Sequence, residues 1–183
     1  LDSDPDGALV TIDVDTGEIL AMVGGESWAR SKFNLATFRS GTGRQAGSAF
    51  KAFVVAAALD TGVTPTERVL DEPTVFLAPG APEPYQPENY HRDYAGLVTL
   101  REALEESRNI AAVRLLAKLS PAPVIERARS LGIASTLLPY PSLALGAFEV
   151  TPVEMTGAFA AFANQGTWVE PHLVRSVEDA SGR

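Results

Sequence analysis

The chain has 183 residues, enough for one domain with a packed core, and 45% are hydrophobic against 21% charged, the balance of a folded protein. Acidic residues outnumber basic ones 23 to 15, for a net charge of −8, and no Lys/Arg stripe is visible, which argues against a nucleic-acid partner. The absence of cysteine excludes disulfides, cysteine–zinc sites and thiol catalysis, and the wide separation of the two histidines, His91 and His172, argues against a histidine-rich metal centre.

Residues 1–7 are acidic and polar, unlike a signal peptide. The longest apolar run, residues 52–59, is far short of the ~20 residues that a membrane helix needs. A membrane anchor is therefore expected only outside these residues. A β-hairpin is predicted over 8–14 and 18–23, with Asp15-Thr16-Gly17 as turn chemistry. A polar, glycine-bearing stretch over 39–45 follows. Gly47-Ser48 opens a helix that runs to about Thr61 and closes at Gly62. This helix is apolar almost all round, which predicts burial, yet Lys51 stands inside it. Residues 63–90 carry six prolines (65, 73, 79, 82, 84 and 87) and read as a long, mostly non-regular connection, of the kind that either acts itself or drapes over a site.

Thr99-Leu-Arg-Glu102 is a capping box that starts a helix reaching about Glu106. Ser107-Arg108-Asn109 interrupts it, and a second helix is predicted from about Ile110 to Leu119. Ser120-Pro121 supplies the cap and first-turn proline of a third, ending at Leu131-Gly132. Residues 134–150 form an apolar, proline-broken connection. Thr151-Pro-Val-Glu154 caps a last helix to about Asn164, and residues 167–177 look strand-like.

Two clusters of side chains could carry chemistry. Ser48 and Lys51 lie three residues apart at a helix start, so hydroxyl and amine share one face. The helix N-terminus favours a developing alkoxide, and burial disfavours the ammonium, which would leave a neutral amine as general base beside a nucleophile. Such a pair arises by chance about once in a few hundred residues at average usage. What raises it here is that lysine occurs only at positions 32, 51 and 118, and that this one occupies an apolar helix. Ser107 and Asn109 stand between two helices, where both side chains can face one cleft; the competing reading is that Asn109 caps the next helix. Trp28 and Trp168 read as packing residues, and Glu102, Glu105 and Glu106 as a solvated helix face. Arg39 and Arg44 could attract a carboxylate, but isolated surface arginines usually just solvate.

Taken together, Gly47-Ser-Ala-Phe-Lys51, Tyr85-Gln-Pro-Glu-Asn-Tyr90, Val98-Thr-Leu-Arg-Glu-Ala-Leu104 and Ser107-Arg-Asn109 resemble the transpeptidase domain of penicillin-binding proteins, most closely the bifunctional class A type. Ser142-Leu-Ala-Leu-Gly146, Glu149-Val-Thr-Pro152 and Phe162-Ala-Asn-Gln-Gly166 match the same type in the same order, so the resemblance covers about residues 8–177. It implies an α+β fold of the β-lactamase/transpeptidase kind, with helices packed on an antiparallel β-sheet that is incomplete at the C-terminus. It implies Ser48 as acylated nucleophile, Lys51 as its base, Ser107 as proton relay and Asn109 as holder of the substrate amide. The Ser48 N–H would be one oxyanion donor. Tyr85, Asn89 and Tyr90 are candidates to line the cleft mouth, with loop packing as the alternative. No cofactor or metal is required.

By the same resemblance the substrates are peptidoglycan stem peptides ending in D-Ala-D-Ala, and β-lactams mimic the donor. The site would face the extracytoplasmic side of a bacterial membrane, with a glycosyltransferase domain and an anchor preceding residue 1. The chain departs from the family pattern in Ala46 and Ala52, where proline is usual, and in lacking Lys-Thr-Gly or Lys-Ser-Gly after any lysine. That motif supplies the second oxyanion donor and the carboxylate site, so residues 1–183 alone are expected to be inactive or weakly active. The alternatives are a D,D-carboxypeptidase or β-lactamase-like hydrolase, and a non-catalytic penicillin-recognition or structural module.

Overall fold

The computed structural model describes residues 7–37, 43–77 and 83–182; Arg39, Pro79, Pro82 and most of the 39–45 stretch lie outside the described residues. In chain order the elements are β1 (Leu9–Ile12), β2 (Ile19–Val23), β3 (Arg44–Gln45), a 3-10 turn (Gly47–Phe50), α1 (Lys51–Asp60), β4 (Arg68–Asp71), β5 (Gly96–Thr99), α2 (Leu100–Glu105), α3 (Asn109–Leu119), α4 (Pro121–Ser130), a second 3-10 turn (Pro141–Leu145), β6 (Glu149–Val150) and α5 (Pro152–Ala163). The architecture is mixed α+β, and its strands pair in twos. The chain divides into two compact units, one formed by residues 1–44, 130–135 and 150–183, the other by 45–129 and 136–149.

In the first unit β1 and β2 form the predicted antiparallel hairpin, with Val10 opposite Met22 and a bulge between Thr11 and Ile12. Its turn is tied by Asp13, whose Oδ1 accepts from the Thr16 N–H at 2.9 Å and the Asp15 N–H at 3.1 Å. Helix α5 packs on β1. Its capping box is complete, and Glu154 reaches further than a local cap. The buried Glu154 carboxylate accepts from Thr151 N–H (2.9 Å), Ala134 N–H (3.0 Å), Ser135 N–H (2.9 Å) and Ser135 Oγ (2.6 Å), which ties segment 130–135 to α5. The strand expected over 167–177 is absent. His172 makes one bridge to Glu18, with Ile19 N–H donating to His172 O at 2.8 Å, and neighbouring Pro171 packs its ring on Gly157 of α5 instead of extending a ladder. Trp168 is a packing residue, seated over Gly132, but Trp28 is 73% exposed, so its predicted packing role fails.

The second unit is built around α1. Phe53, Val54, Ala57 and Ala58 are fully or almost fully buried, and α1 packs on α3, which buries Ile110, Ala111, Val113 and Leu116. The first turn after Gly47 is 3-10, not α, and true α-helix begins at Lys51. Segment 63–90 is less irregular than its prolines imply. Residues 68–71 form β4, antiparallel to β5 with Val69 opposite Val98 and Asp71 opposite Gly96. Four residues between prolines 65 and 73 are too few for alternation to betray a strand. Further on, Phe76 and Tyr85 exchange two backbone bonds of 2.8 Å. The second 3-10 turn ends at Gly146, φ +64°, whose carbonyl accepts from Gly47 N–H at 3.2 Å. A Cβ on Gly146 would lie 2.3 Å from Gly47 O, so only glycine permits this approach to the residue before Ser48.

Candidate active site

Ser48, Asn89, Tyr90, His91, Asp93, Glu106, Ser107, Arg108 and Asn109 line an open cleft of about 500 Å³ in the second unit. Ser48 and Ser107 are exposed to it, whereas Lys51 lies beneath them, only 2% exposed. The three-residue spacing at the start of α1 sets Lys51 under Ser48.

Four acceptors surround Lys51 Nζ: Asn109 Oδ1 at 2.6 Å, Ser107 O at 2.7 Å, Ser107 Oγ at 2.9 Å and Ser48 Oγ at 3.1 Å. The two carbonyl oxygens can only accept, so they take two N–H groups. A neutral amine then has its lone pair left for the hydroxyls of Ser48 and Ser107. Burial pushes the Lys51 pKa down from 10.5 to about 8, so that neutral form is accessible near physiological pH. The arrangement can move a proton from Ser48 Oγ to Nζ, and between Nζ and Ser107 Oγ, without any side chain changing place.

Ser107 owes its position to the end of α2. Arg108 N–H donates to Ala103 O at 2.8 Å and Ser107 N–H to Leu104 O at 3.0 Å, the pair of bonds of a Schellman ending. The residue after the cap is then left-handed, and here it is Ser107 at φ +54° rather than glycine. The conformation costs about 1 kcal/mol for a residue with a Cβ. It reverses the chain so that Ser107 and Asn109 both turn to Lys51.

Asn109 does not cap α3. It is the first helical residue; the N-cap position is Arg108, which makes no side-chain cap bond. Asn109 Oδ1 accepts from Lys51 Nζ, and its Nδ2 donates one hydrogen to Glu88 O at 2.8 Å, which fixes the amide orientation and leaves its second hydrogen for the cleft.

The other anticipated residues separate. Asn89 is buried at 5% exposure beneath the motif. Tyr90 is 91% exposed on the cleft wall, its ring edge-on to His91 with centroids 5.0 Å apart. Tyr85 does not line the cleft; it is half-buried in its bridge to Phe76, and burial raises its pKa. The acids read as a solvated face divide their work: Glu102 closes the capping box with Thr99, while Glu106 grips Arg108 at 2.6 and 2.8 Å. Arg108 also meets Asp93 at 3.1 Å and the fully buried Asp71 at 3.5 Å, and its bond to Glu106 raises its pKa further. Asp71 and Arg108 were not anticipated. Asp71 lies 37 residues before Arg108, so no local pattern could have joined them.

Among the described residues no helix is long and apolar enough to cross a membrane, and no cluster of three or more His, Asp or Glu could hold a metal ion.

A family model described as the penicillin-binding protein transpeptidase domain matches residues 7–183. Penicillin-binding protein 1A of Aquifex aeolicus is 42% identical over 179 residues, which is 98% of this chain and 24% of that protein. The crystal structure of penicillin-binding protein 1A from Haemophilus influenzae superposes with a TM-score of 0.86 at 36% identity, covering 97% of this chain and 26% of that one. The PonA1 protein of Mycobacterium tuberculosis, solved in complex with penicillin V, superposes with a TM-score of 0.83 at 29% identity, covering 100% of this chain and 50% of that one. This chain thus spans about a quarter of the length of the curated relatives it matches.

Proposed function

The chain belongs to the penicillin-binding protein transpeptidase family, and on that premise we propose that it carries the acyl-transfer site of a peptidoglycan D,D-transpeptidase of the 1A type. The observation that carries this reading is Lys51 Nζ, buried and within hydrogen-bond reach of Ser48, Ser107 and Asn109, residues from two motifs some 56 to 58 positions apart. Ser48 Oγ attacks the carbonyl of the penultimate D-Ala of a donor stem peptide as its proton passes to Lys51 Nζ. The Ser48 N–H would serve the developing oxyanion as one donor. The C–N bond to the terminal D-Ala breaks, and the leaving amine takes the proton through Ser107 Oγ. Asn109 holds the donor amide with its remaining Nδ2 hydrogen. An amine of a second stem peptide then attacks the acyl carbon, the bond to Oγ breaks, and a proton returns to Ser48.

A β-lactam would enter as a donor mimic and remain on Ser48, in keeping with the penicillin V complex of PonA1. A Lys-Thr-Gly or Lys-Ser-Gly strand, which residues 1–183 do not contain, would complete the oxyanion hole and carboxylate site, so these residues alone should label weakly. The site would work on the extracytoplasmic face of the membrane, with anchor and glycosyltransferase domain supplied by segments outside this chain.

The test is labelling of the full-length protein with a fluorescent penicillin. Covalent label at Ser48, lost in Ser48→Ala, is expected; label that survives Ser48→Ala would sink the assignment. Product analysis with an added acceptor amine separates crosslinking from a carboxypeptidase, which would release only hydrolysed product.

A further inference from the structure

The first N–H groups of a helix need partners from outside it, and serine and asparagine are the side chains that most often provide them. At the start of α3 the two obvious candidates, Ser107 and Asn109, are committed to Lys51 instead. The cap comes from 20 residues earlier. Asn89 Oδ1 accepts from Asn109 N–H at 2.8 Å and from Ile110 N–H at 3.3 Å. Its Nδ2 donates to Asp71 Oδ1 at 2.8 Å, Asp71 Oδ2 at 3.0 Å and Asp93 O at 2.9 Å.

We propose that Asn89 is a positioning residue of the acyl-transfer site, acting through Asn109, and that Asp71 fixes the direction of its amide. The inference rests on the functional reading above. Asp71 is fully buried and, as a carboxylate, only accepts; the N-terminus of α3 only donates. The residue between them must donate on one side and accept on the other, which a carboxamide does and neither a carboxylate nor an aliphatic side chain can. Asp71 is itself held, accepting from Ala95 N–H at 3.1 Å and facing Arg108, which Glu106 and Asp93 grip from the cleft side. A chain of directed bonds therefore runs from Asp71 through Asn89 to the backbone of Asn109, and from its Oδ1 to Lys51. It spares the Ser107 hydroxyl and the Asn109 amide from capping α3, so both can meet Lys51.

The test is the second-order rate of Ser48 acylation by a penicillin, measured across pH on the full-length protein, with a thermal melt of each variant. Asn89→Ala should slow acylation about 100-fold, the order expected when a catalytic group is displaced by an ångström. It should also move the midpoint of the pH profile upward, because a loosened Asn109 lets water reach Lys51. Asn89→Asp sets two buried carboxylates face to face and should be at least as slow near neutral pH. The double variant Asp71→Asn/Asn89→Asp restores the donor–acceptor pairing between residues 71 and 89 and the acceptor at the start of α3, but sets a carboxylate oxygen against Asp93 O, so it should acylate about tenfold faster than Asn89→Asp alone while staying below wild type.

An Asn89→Ala protein that melts lower but acylates at the wild-type rate with an unmoved pH profile would make Asn89 merely structural and overturn the proposal. So would a double variant no better than Asn89→Asp alone, and that comparison decides the matter if Asn89→Ala does not fold. A wild-type protein that takes no penicillin at Ser48 overturns the functional reading itself, and this inference with it; that outcome is distinct from the other two.

Discussion

The pH dependence of acylation follows from where Lys51 sits. Only the neutral amine has a lone pair to accept the Ser48 proton, so the rate should track its deprotonated fraction. Burial lowers the pKa from 10.5 to about 8. At pH 7 about a tenth of the protein then has a neutral Lys51, against about 0.03% for an unshifted lysine, a gain of about 300-fold in competent enzyme. The sign is fixed by the direction of the shift: below pH 8 the ammonium dominates and the rate falls about tenfold per unit; above it the rate levels off. The assay is the second-order rate of penicillin acylation of the full-length protein between pH 5.5 and 9.5, a range in which the penicillin has no titrating group. Lys51→Arg is the control. Its guanidinium stays charged throughout, so acylation should fall by about 10² to 10⁴ and lose its pH dependence. A wild-type profile that is flat over the range, or that is still rising tenfold per unit at pH 9.5, would refute the argument that burial makes this lysine a base.

Three further outcomes are expected. Gly146→Ala places a Cβ 2.3 Å from Gly47 O at φ +64°, so it should cost about 2–4 kcal/mol and slow acylation by displacing Ser48, read by a thermal melt and penicillin labelling. Glu154→Ala leaves the buried N–H of Thr151 and the more exposed ones of Ala134 and Ser135 without their acceptor and should cost about 1–3 kcal/mol in a denaturant melt; a loss below about 0.5 kcal/mol would show that water replaces the carboxylate. Ser107→Gly and Ser107→Ala both remove the hydroxyl and should slow acylation alike, but glycine relieves the φ of +54°, so the Gly variant should be about 1 kcal/mol the more stable; equal stability would deny the strain.

What the sequence made legible is what short spacing encodes. The Ser48–Lys51 pair, the capping boxes at Thr99 and Thr151 and the first hairpin rest on residues two to five positions apart, and each stands where its pattern places it. What stayed hidden depends on long-range partners. Strands β4 and β5 are four residues each, without enough alternation to register, and stand because they pair with each other. Residues 167–177 look strand-like, with Trp168, Val169, Leu173, Val174 and Val177, yet among the described residues only His172 makes a β-bridge, and Pro171 is spent on α5. Asn89 and Asp71 were invisible as a support because the bonds between them and to α3 span 18 to 21 residues.

The same distinction explains how a short turn can hold the proposed site. Ser107-Arg-Asn109 contains two good capping residues, and a three-residue turn left to local preferences would spend them on its own helix ends. Here each local need is met from elsewhere. The end of α2 closes on backbone bonds alone, with Ser107 in a left-handed conformation it does not favour. The start of α3 is closed by Asn89, and Arg108 is turned aside by Glu106, Asp93 and Asp71. Lys51 then receives one hydroxyl, one backbone carbonyl and one carboxamide from that turn, with no carboxylate among them. Neutral acceptors satisfy the hydrogens of the amine without stabilising its positive charge as an acid would, so Lys51 is held in place and still free to be a base.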